Sequence, residues 1–330
     1  MIDPVVTAVI CTRNRARFLE KCLASLLNQK VEDQRYEILV IDNGSSDTTA
    51  EVVKELQNAN TSVRYVYEPV PGLSKARNTG WRRARGAYVG YIDDDAVVSD
   101  KWVSSVLWVI DNISPIPVWI GGPIELDWGV PNPGWIDDEL KVPLGFINWG
   151  QEPRVLSNNE RLGGGNSIYN RAELERLGGF DERLGRKKDN LLSGEETQLQ
   201  KIIEEDGGKL YYHPGITIYH WVSKERVQPK WFYRRYYWGG VSDYFMNKTL
   251  ANRAGPKGLH RERNDLSEEQ GRWTRIISNL INSLGFFSTR EDTVQARIYL
   301  SYVFGYGSGI YRWQLKKLCK NEKQCYESSN

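Results

Sequence analysis

Apolar runs and helical segments alternate along residues 5–110 of the chain. Four runs rich in β-branched and aromatic residues predict strands at Val5–Cys11, Glu37–Ile41, Val63–Tyr67 and Tyr88–Ile92. The segments after them repeat apolar residues three and four positions apart, which predicts helices over 18–27, 48–57, 73–84 and 100–110. Strands joined through helices form right-handed crossovers. We therefore expect an α/β fold with a mostly parallel central sheet flanked by helices.

The pattern changes after residue 114. Proline, glycine and tryptophan are frequent over 115–149, where extended strands and loops are expected, and shorter strands and helices follow up to residue 220. Beyond residue 222 the periodicity is helical, with helices predicted over 273–284 and 293–303. We therefore expect an α/β domain over 1–222, with halves 1–114 and 115–222, and a helical extension over 223–330.

Charge is distributed unevenly along the 330 residues. The chain carries 44 Lys and Arg against 42 Asp and Glu, a net charge of +2. Residues 221–330 hold 19 of the basic and 10 of the acidic residues, a net of +9, which leaves a net of −7 for residues 1–220. An acidic front and a basic end indicate two different tasks. A nucleic-acid partner is not expected, because the chain as a whole is not basic.

The N-terminal sequence lacks a basic segment followed by a long apolar stretch, so no secretory signal is predicted. No run of about 18 apolar residues predicts a membrane span either. Cys319 and Cys325 have no histidine nearby, which argues against a zinc site. We therefore expect a cytoplasmic location.

Polar residues follow three of the four predicted strands. They are the segments 11–15 (CTRNR), 42–47 (DNGSSD) and 93–95 (DDD). Ligands of open parallel sheets bind beyond the carboxyl ends of the strands. We therefore expect these three segments to converge on one rim and to form a binding site.

The three consecutive aspartates carry the strongest chemical signal. Adjacent carboxylates repel one another unless a cation or a basic partner neutralises them. Alternation along an extended chain places Asp93 and Asp95 on one side, where they could share a divalent ion that in turn holds a diphosphate. The alternative is a solvated turn before the helix that begins near Asp100.

The segment 42–49 has a structural and a functional interpretation. Asn43-Gly44 is a turn dipeptide, and Ser46 or Asp47 is suited to capping the next helix. Neither role explains Asp42. Its carboxylate at the strand end could accept a hydrogen bond from a base N–H or a ribose hydroxyl.

Eight short segments occur in an order that resembles the family 2 glycosyltransferases of the GT-A fold. They are CTRNR, DNGSSDTT, GLSKARNTG, YIDDDA, GGGNSIYNR, GGFDERLG, GEETQLQ and YHPGITIYH, spread over about 5–220. The resemblance implies a Rossmann-like catalytic domain that transfers a sugar from a nucleotide diphosphate to a hydroxyl group with inversion. It also implies a divalent cofactor, Mn²⁺ or Mg²⁺. UDP is the default donor nucleotide, with GDP and TDP open, and the acceptor would be a polysaccharide, a glycan or a lipid-linked sugar.

The resemblance also assigns roles to individual residues. It implies that the nucleotide is bound by Thr12, Arg13, Asn14, Asp42, Asn43, Arg77, Asp93 and Asp94. It implies that the metal is held by Asp93, Asp95 and His220, with Asp95 as the main ligand. The donor sugar and the acceptor would meet Gly164, Gly165, Asn166 and Trp149. Structural roles remain open for Arg77 within its helix and for His220.

Glu195 and Glu196 depart from the family pattern, which has Glu-Asp at this point. Position for position, Glu196 is the general base that deprotonates the acceptor hydroxyl, and a glutamate can serve if it reaches the proton. Glu195 is the second candidate. The alternative is a capping box, in which Ser193 caps the helix and Glu196 reaches back to the cap amide.

Residues 231–245 hold eight aromatic residues interleaved with Arg234 and Arg235. The rings could pack a helix, stack on a glycan or contact a membrane interface, where aromatic and basic side chains are favoured. A membrane contact would place the protein at the inner face of the plasma membrane.

Three other functions compete with the transferase. A haloacid-dehalogenase-type phosphatase would use Asp93-x-Asp95 as its nucleophile motif, but that motif normally follows the first strand. A carbohydrate-binding protein with a decayed active site is the second alternative, suggested by the Glu-Glu departure. A dinucleotide-dependent dehydrogenase is excluded because the first strand–helix turn lacks G-x-G-x-x-G.

Overall fold

The computed structural model describes residues 4–31, 35–60, 62–157, 159–187, 190–253 and 290–327. The chain divides into two compact units, one formed by Met1–Lys188 with Glu195–Lys224 and the other by Asp189–Gly194 with Glu225–Asn330. The helix predicted over 273–284 lies outside the described residues.

Unit one contains an eight-stranded sheet with the order β3-β2-β1-β4-β9-β6-β10-β8. The strands are β1 (Val6–Thr12), β2 (Tyr36–Asp42), β3 (Val63–Tyr67), β4 (Tyr88–Asp93), β6 (Trp119–Gly121), β8 (Arg154–Val155), β9 (Asn166–Asn170) and β10 (Leu210–Tyr212). Strands β1 to β4 are parallel, whereas β9 runs antiparallel to both neighbours, β4 and β6. The predicted α/β fold with a mostly parallel sheet is confirmed.

A second, three-stranded sheet was not predicted. Its strands are β5 (Ala96–Val98), β7 (Ile124–Trp128) and β11 (Ile218–Val222), with β11 in the middle. Strand β11 is antiparallel to β5, and its register sets His220 opposite Ala96. The backbone N–H of Trp221 also donates to the carbonyl of Asp95 at 3.0 Å. This small sheet brings the end of the acidic triplet to His220, 125 positions later in the chain.

The described part of unit one contains seven α-helices, of which the first four match the predicted alternation and the short α5 was not predicted. They are α1 (Ala16–Leu27), α2 (Thr49–Ala59), α3 (Leu73–Arg83), α4 (Trp102–Asn112), α5 (Asp138–Lys141), α6 (Arg171–Leu177) and α7 (Glu195–Glu205). Helix α1 buries Leu19, Leu23 and Leu26, which follow its helical spacing. All residues of β2 are buried, as expected for a parallel strand covered by helices on both faces.

Close packing of α3 against β1 depends on Gly80. A Cβ at this position would lie 3.5 Å from the ring of Tyr91 and only 2.7 Å from Cγ1 of the buried Val9, and real Cβ atoms do not approach a neighbour as closely as the second distance. Arg77 precedes Gly80 by almost one turn of the same helix. The missing side chain therefore lets α3 carry Arg77 to the sheet rim.

Unit two contains α8 (Pro229–Arg253) and a second long helix, α9 (Arg290–Glu327). The two pack through glycines, since a Cβ on Gly240 or Gly305 would collide with the backbone of the facing helix. Tyr302 Oη donates to Asp243 at 2.6 Å, and Tyr237 Oη donates to Ser308 at 2.7 Å.

All residues of the aromatic segment 231–245 are described, and none of its rings is exposed. Phe232, Tyr244 and Phe245 are buried, and the ring centroid of Tyr244 lies 5.3 Å from that of Tyr306 in α9. The structure thus favours the packing interpretation of this segment over a membrane contact. Among the described residues, no helix combines the length and the apolar character needed to cross a bilayer.

Candidate active site

The carboxyl ends of β1, β2 and β4 meet at one rim of the large sheet. Thr12 lies opposite Asp42 in the β1–β2 register, and Cys11 lies opposite Asp93 in the β1–β4 register. The Thr12 hydroxyl donates to Asp94 Oδ2 at 2.7 Å. The structure therefore brings together the three polar segments that follow these strands.

Asp93, Asp95 and His220 form a group that could hold a metal ion. One ligand atom from each lies within 4.8 Å of the others. Asp95 and His220 are buried, and His220 Nε2 lies 3.4 Å from Asp95 Oδ1. Two carboxylates and an imidazole suit Mn²⁺, which takes oxygen ligands and tolerates nitrogen, and the carboxylates also suit Mg²⁺. The donor set fits the predicted cofactor.

Arg15 holds the other side of the acidic triplet. Its guanidinium lies 3.0 Å from Asp94 Oδ1 and 2.8 Å from Asp95 Oδ2, above the ring of Phe18. This contact engages one oxygen of Asp95 and leaves Oδ1 on the side of His220. Arg15 was not predicted as a site residue from the sequence. The available signal was an arginine in the 11–15 segment, on the rim where three acids were expected.

Asp94 is bound within the protein on both carboxylate oxygens. Thr12 donates to Oδ2, and Arg15 contacts Oδ1. Burial raises the pKa of Asp94 to about 7, although the charge of Arg15 partly offsets this effect. A direct nucleotide contact through Asp94, as implied by the resemblance, would have to compete with these two partners.

Asp42 lies at the opposite end of the rim and is buried. The Ser45 amide donates to Oδ1 at 2.8 Å, and the Tyr65 hydroxyl donates to Oδ2 at 2.7 Å. Tyr65 was not identified from the sequence. It follows from the parallel pairing of β2 with β3 and fixes the orientation of the carboxylate.

Asn43 and Asn14 organise the loops around Asp42. Asn43 Nδ2 donates to the carbonyl of Val70 at 2.7 Å, and its Oδ1 accepts from the Gly72 amide at 2.8 Å. Asn14 has a positive φ of 54° and accepts from the Ser46 amide at 2.7 Å. Both predicted nucleotide-binding asparagines therefore shape the rim. Arg13 is exposed beside them.

Arg77 is buried between the acidic triplet and the start of α7. Its Nη1 lies 2.7 Å from Glu195 Oε1, and its Nη2 lies 3.9 Å from Asp93 Oδ1. Nη2 also donates to the carbonyl of Gly164 at 3.2 Å. The predicted nucleotide-binding arginine is thus engaged chiefly by the predicted catalytic side of the site.

Glu195 and Glu196 stand at the first turn of α7. Glu195 is buried and Glu196 half-buried. The Oε2 atom of each is buried and has no hydrogen-bond partner within the described part of the chain. Burial raises the pKa of Glu195 to about 8, with a further rise from the negative charge of Glu196 and an opposing effect of Arg77.

The capping-box alternative for Glu196 receives little support from these contacts. Ser193, the expected cap, accepts a hydrogen bond from Arg235 Nη1 at 3.0 Å through its hydroxyl. A Cβ on Gly164 would lie 3.2 Å from the Glu196 carboxyl carbon, so the glycine-rich segment passes directly over this carboxylate. Oε2 of Glu196 therefore remains available as a hydrogen-bond acceptor beside the glycine-rich segment.

The glycine-rich segment also abuts Asp93. A Cβ on Gly165 would collide with Asp93 Oδ2, and the Asp93 amide donates to the Gly165 carbonyl at 3.3 Å. Gly165 thus borders Asp93 and Gly164 borders Glu196, and neither position has room for a side chain.

Asn166 and Trp149 take different positions. Asn166 is fully buried, accepts from Trp102 Nε1 at 2.9 Å and donates to the carbonyls of Pro123 and Ile216 at 3.1 and 2.7 Å. These bonds occupy the amide and give it a structural role in joining the two sheets. Trp149 packs against the edge of the hydrophobic core, and its indole N–H donates to the Arg161 carbonyl.

Comparison with protein families and curated sequences gives consistent matches. Residues 7–126 match the profile of the family described as glycosyl transferase family 2. A glucosyl-dolichyl phosphate glucuronosyltransferase of Haloferax volcanii is 24% identical over 247 residues, or 73% of this chain and 77% of that protein. The glycosyltransferase AglE of the same organism is 32% identical over 40% of this chain, and the match spans only 42% of AglE.

Solved structures show the same fold at low sequence identity. A mannosyltransferase from Pyrobaculum calidifontis, in complex with GDP-Man and Mn²⁺, aligns with a TM-score of 0.60 and 18% identity over 94% of this chain and 88% of that one. TarS of S. aureus, in complex with UDP, aligns with a TM-score of 0.51 and 18% identity over 94% of this chain and 91% of that one.

Proposed function

Because the chain belongs to the family 2 glycosyltransferases and has the GT-A fold, we propose that it is an inverting, metal-assisted enzyme that transfers a sugar from a nucleotide diphosphate to a hydroxyl acceptor. The observation that carries the finer part of this proposal is the convergence of two features at one rim. The Asp93, Asp95 and His220 group lies on one side of Arg77, and the Glu195–Glu196 pair lies on the other.

The metal side of the site would serve the leaving group. Asp93, Asp95 and His220 would hold the cation, which neutralises charge on the departing diphosphate when it is bound. Arg15 supports this role because it orients Asp95 through Oδ2 and leaves Oδ1 for the ligand side. The Mn²⁺ in the Pyrobaculum structure supports the choice of ion, since Mn²⁺ is bound by a protein of the same fold.

Glu196 is the proposed general base. Inversion by a single displacement needs one carboxylate that takes the proton of the attacking hydroxyl. Glu196 has an unpartnered, buried oxygen and lies under Gly164, whose missing side chain leaves room for an acceptor. Glu195 is held by Arg77 and is assigned to support the base.

Donor and acceptor are proposed by class. Asp42, with its orientation fixed by Tyr65 and Ser45, is the proposed contact for the nucleoside. UDP remains the default nucleotide, and GDP and TDP remain candidates, since the similar structures hold GDP-Man in one case and UDP in the other. A glycan or lipid-linked acceptor is proposed because a relative that spans most of this chain is named for a dolichyl phosphate substrate.

The first experiment identifies the donor and the metal together. A thermal-shift panel of UDP, GDP, TDP and CMP with Mn²⁺ should single out one nucleotide, because a ligand at 100 times its Kd stabilises the fold by about 2.7 kcal/mol. Transfer from the matching sugar nucleotide should then disappear on addition of EDTA and in Asp95→Ala. Asp138→Ala, at an exposed acid on α5, is the matched control. Undiminished transfer in EDTA would contradict the metal role.

The phosphatase alternative is separated by its product. Asp93 and Asp95 follow the fourth strand of the chain, after β1, β2 and β3, whereas the phosphatase motif normally follows the first. Release of phosphate from a generic phosphomonoester, without use of a sugar nucleotide, would favour that enzyme class. Binding of a donor without transfer or hydrolysis would favour a decayed binding protein.

A further inference from the structure

Helix α9 exposes a row of large apolar side chains. Within 294–314, where side chains of this helix are described, the exposed fractions are 39% for Leu300, 69% for Phe304, 37% for Ile310 and 63% for Tyr311. Residues 300, 304 and 311 lie on one stripe, because successive residues turn by about 100° around a helix. Two aromatic rings and two aliphatic side chains on one helix are costly to leave in water.

Among the described residues of unit two, the packing of α9 against α8 leaves this stripe exposed. The contacts of α9 with α8 include Tyr302, Gly305, Tyr306 and Gly309, which lie on another side of the helix, and Ser308, which borders the stripe. Helix α9 therefore has one face fixed by α8 and a second, apolar face turned outward. We call this second face, which includes Leu300, Phe304 and Tyr311, the α9 stripe.

The charge along α9 has one sign over most of its length. Residues 294–321 contain no Asp or Glu, whereas Arg297, Arg312, Lys316, Lys317 and Lys320 give this stretch five positive charges. Arg297 and Arg312 are exposed. A positively charged helix with exposed aromatic rings combines the two attractions that hold a helix at the surface of an anionic membrane.

We propose that the α9 stripe binds the surface of an anionic lipid membrane, with Phe304 and Tyr311 inserted at headgroup level. The chemistry of the stripe favours lipid over a protein groove. A helix bound in a groove presents anchors at a regular i, i+3 or i+4, i+7 spacing, but position 307 is glycine and position 308 is serine. An anionic bilayer requires no regular row of apolar anchors, and its negative surface attracts a helix that carries enough positive charge.

This proposal does not depend on the proposed reaction, since all its residues lie in unit two. It places the membrane contact on α9 and not on residues 231–245, whose rings are buried or half-buried. A peripheral contact by α9 would bring the chain to the surface on which lipid-linked sugars are found.

The test is co-sedimentation of the full chain with lipid vesicles. Vesicles of phosphatidylcholine containing about one third phosphatidylglycerol should bind the protein at low salt, with at least about tenfold weaker binding to pure phosphatidylcholine. Phe304→Ser with Tyr311→Ser should weaken binding by about tenfold or more. Trp108→Ser with Ile116→Ser is the matched control, because these side chains are 45% and 49% exposed on unit one.

A second measurement uses the unaltered protein and so does not depend on the folding of a variant. Hydrogen exchange with and without the anionic vesicles should show protection of peptides from 294–314 and none around Trp108. Equal binding to both vesicle types, equal binding of the stripe and control variants, or protection confined to other segments would each overturn the proposal. So would the absence of any vesicle binding, including the case in which an acidic protein binds the stripe instead.

Discussion

The buried carboxyl of Glu195 makes the stability of unit one depend on pH. Glu195 has a pKa of about 8 in the folded protein, against 4.5 for an unperturbed glutamate, because burial and the charge of Glu196 penalise its ionised form. The unfolded chain releases this proton near pH 4.5, whereas the folded chain retains it up to about pH 8. Stability from this group is therefore complete below the unfolded pKa and is lost as the pH rises towards the folded one.

The variant Glu195→Gln isolates this effect, since glutamine has a similar shape and cannot ionise. The shift from 4.5 to about 8 corresponds to about 4 to 5 kcal/mol, at 1.36 kcal/mol per pKa unit. We expect the variant and the wild type to have similar stability near pH 4.5. At pH 8 the variant should be more stable by a large part of that amount, because the unfolded wild type is stabilised by ionisation of this carboxyl while the folded wild type still largely retains the proton.

Native-state hydrogen exchange of amides in β1 and β4 measures the relevant opening of unit one. The difference in opening free energy between Glu195→Gln and the wild type should grow steadily from pH 5 to pH 8. Glu20→Gln, at an exposed position of α1, is the control and should show no such growth. A difference that stays constant over this range would refute the reasoning, because it would show that Glu195 ionises normally in the folded chain.

Three further predictions concern single side chains of the site. Arg15→Met should weaken Mn²⁺ binding by about 10- to 100-fold, because it removes a group that orients a metal ligand. Arg15→Lys should recover part of this loss. A Mn²⁺ titration followed by electron paramagnetic resonance measures both affinities. Glu196→Gln should lower kcat by at least about 100-fold with little change in donor affinity, because glutamine cannot accept the proton. Glu196→Asp should retain more activity, since it keeps a carboxylate. Equal losses in kcat for the two variants would contradict the role of Glu196 as base. Asn166→Ala should lower the free energy of unfolding by about 2 to 4 kcal/mol, because it leaves Trp102 Nε1 and two buried carbonyls without their hydrogen-bond partner. Urea unfolding measures this change. A loss under about 1 kcal/mol would show that the amide is dispensable for folding.

The parallel strands β1 to β4 could be predicted from the sequence because buried parallel strands consist of continuous apolar runs. Strands β1 to β4 begin or end within a residue of the predicted bounds, and β3 coincides with them. The convergence of their polar ends follows from the geometry of a parallel sheet. This regularity made the rim around Asp42 and the acidic triplet predictable.

Other parts of the site depend on partners far apart in the chain. The contacts of Arg15 with Asp95 and of Arg77 with Glu195 join positions separated by 80 and 118 residues, and neither has a local pattern that reveals it. Strand β5 is three residues long, too short for a periodicity to show. The family resemblance implied that Asn166 meets the donor sugar and the acceptor, whereas the structure turns its side chain inward to join the two sheets.

Arg77 lies between the two halves of the proposed reaction centre, at 3.9 Å from Asp93 and 2.7 Å from Glu195. Changes in kcat or KM of an Arg77 variant will therefore have two possible causes. A slow Arg77 variant combines a disturbed donor side with a disturbed acceptor side, and a raised KM for the sugar nucleotide would not identify the guanidinium as a nucleotide ligand. Only a double-mutant cycle with Glu195 separates the two contributions.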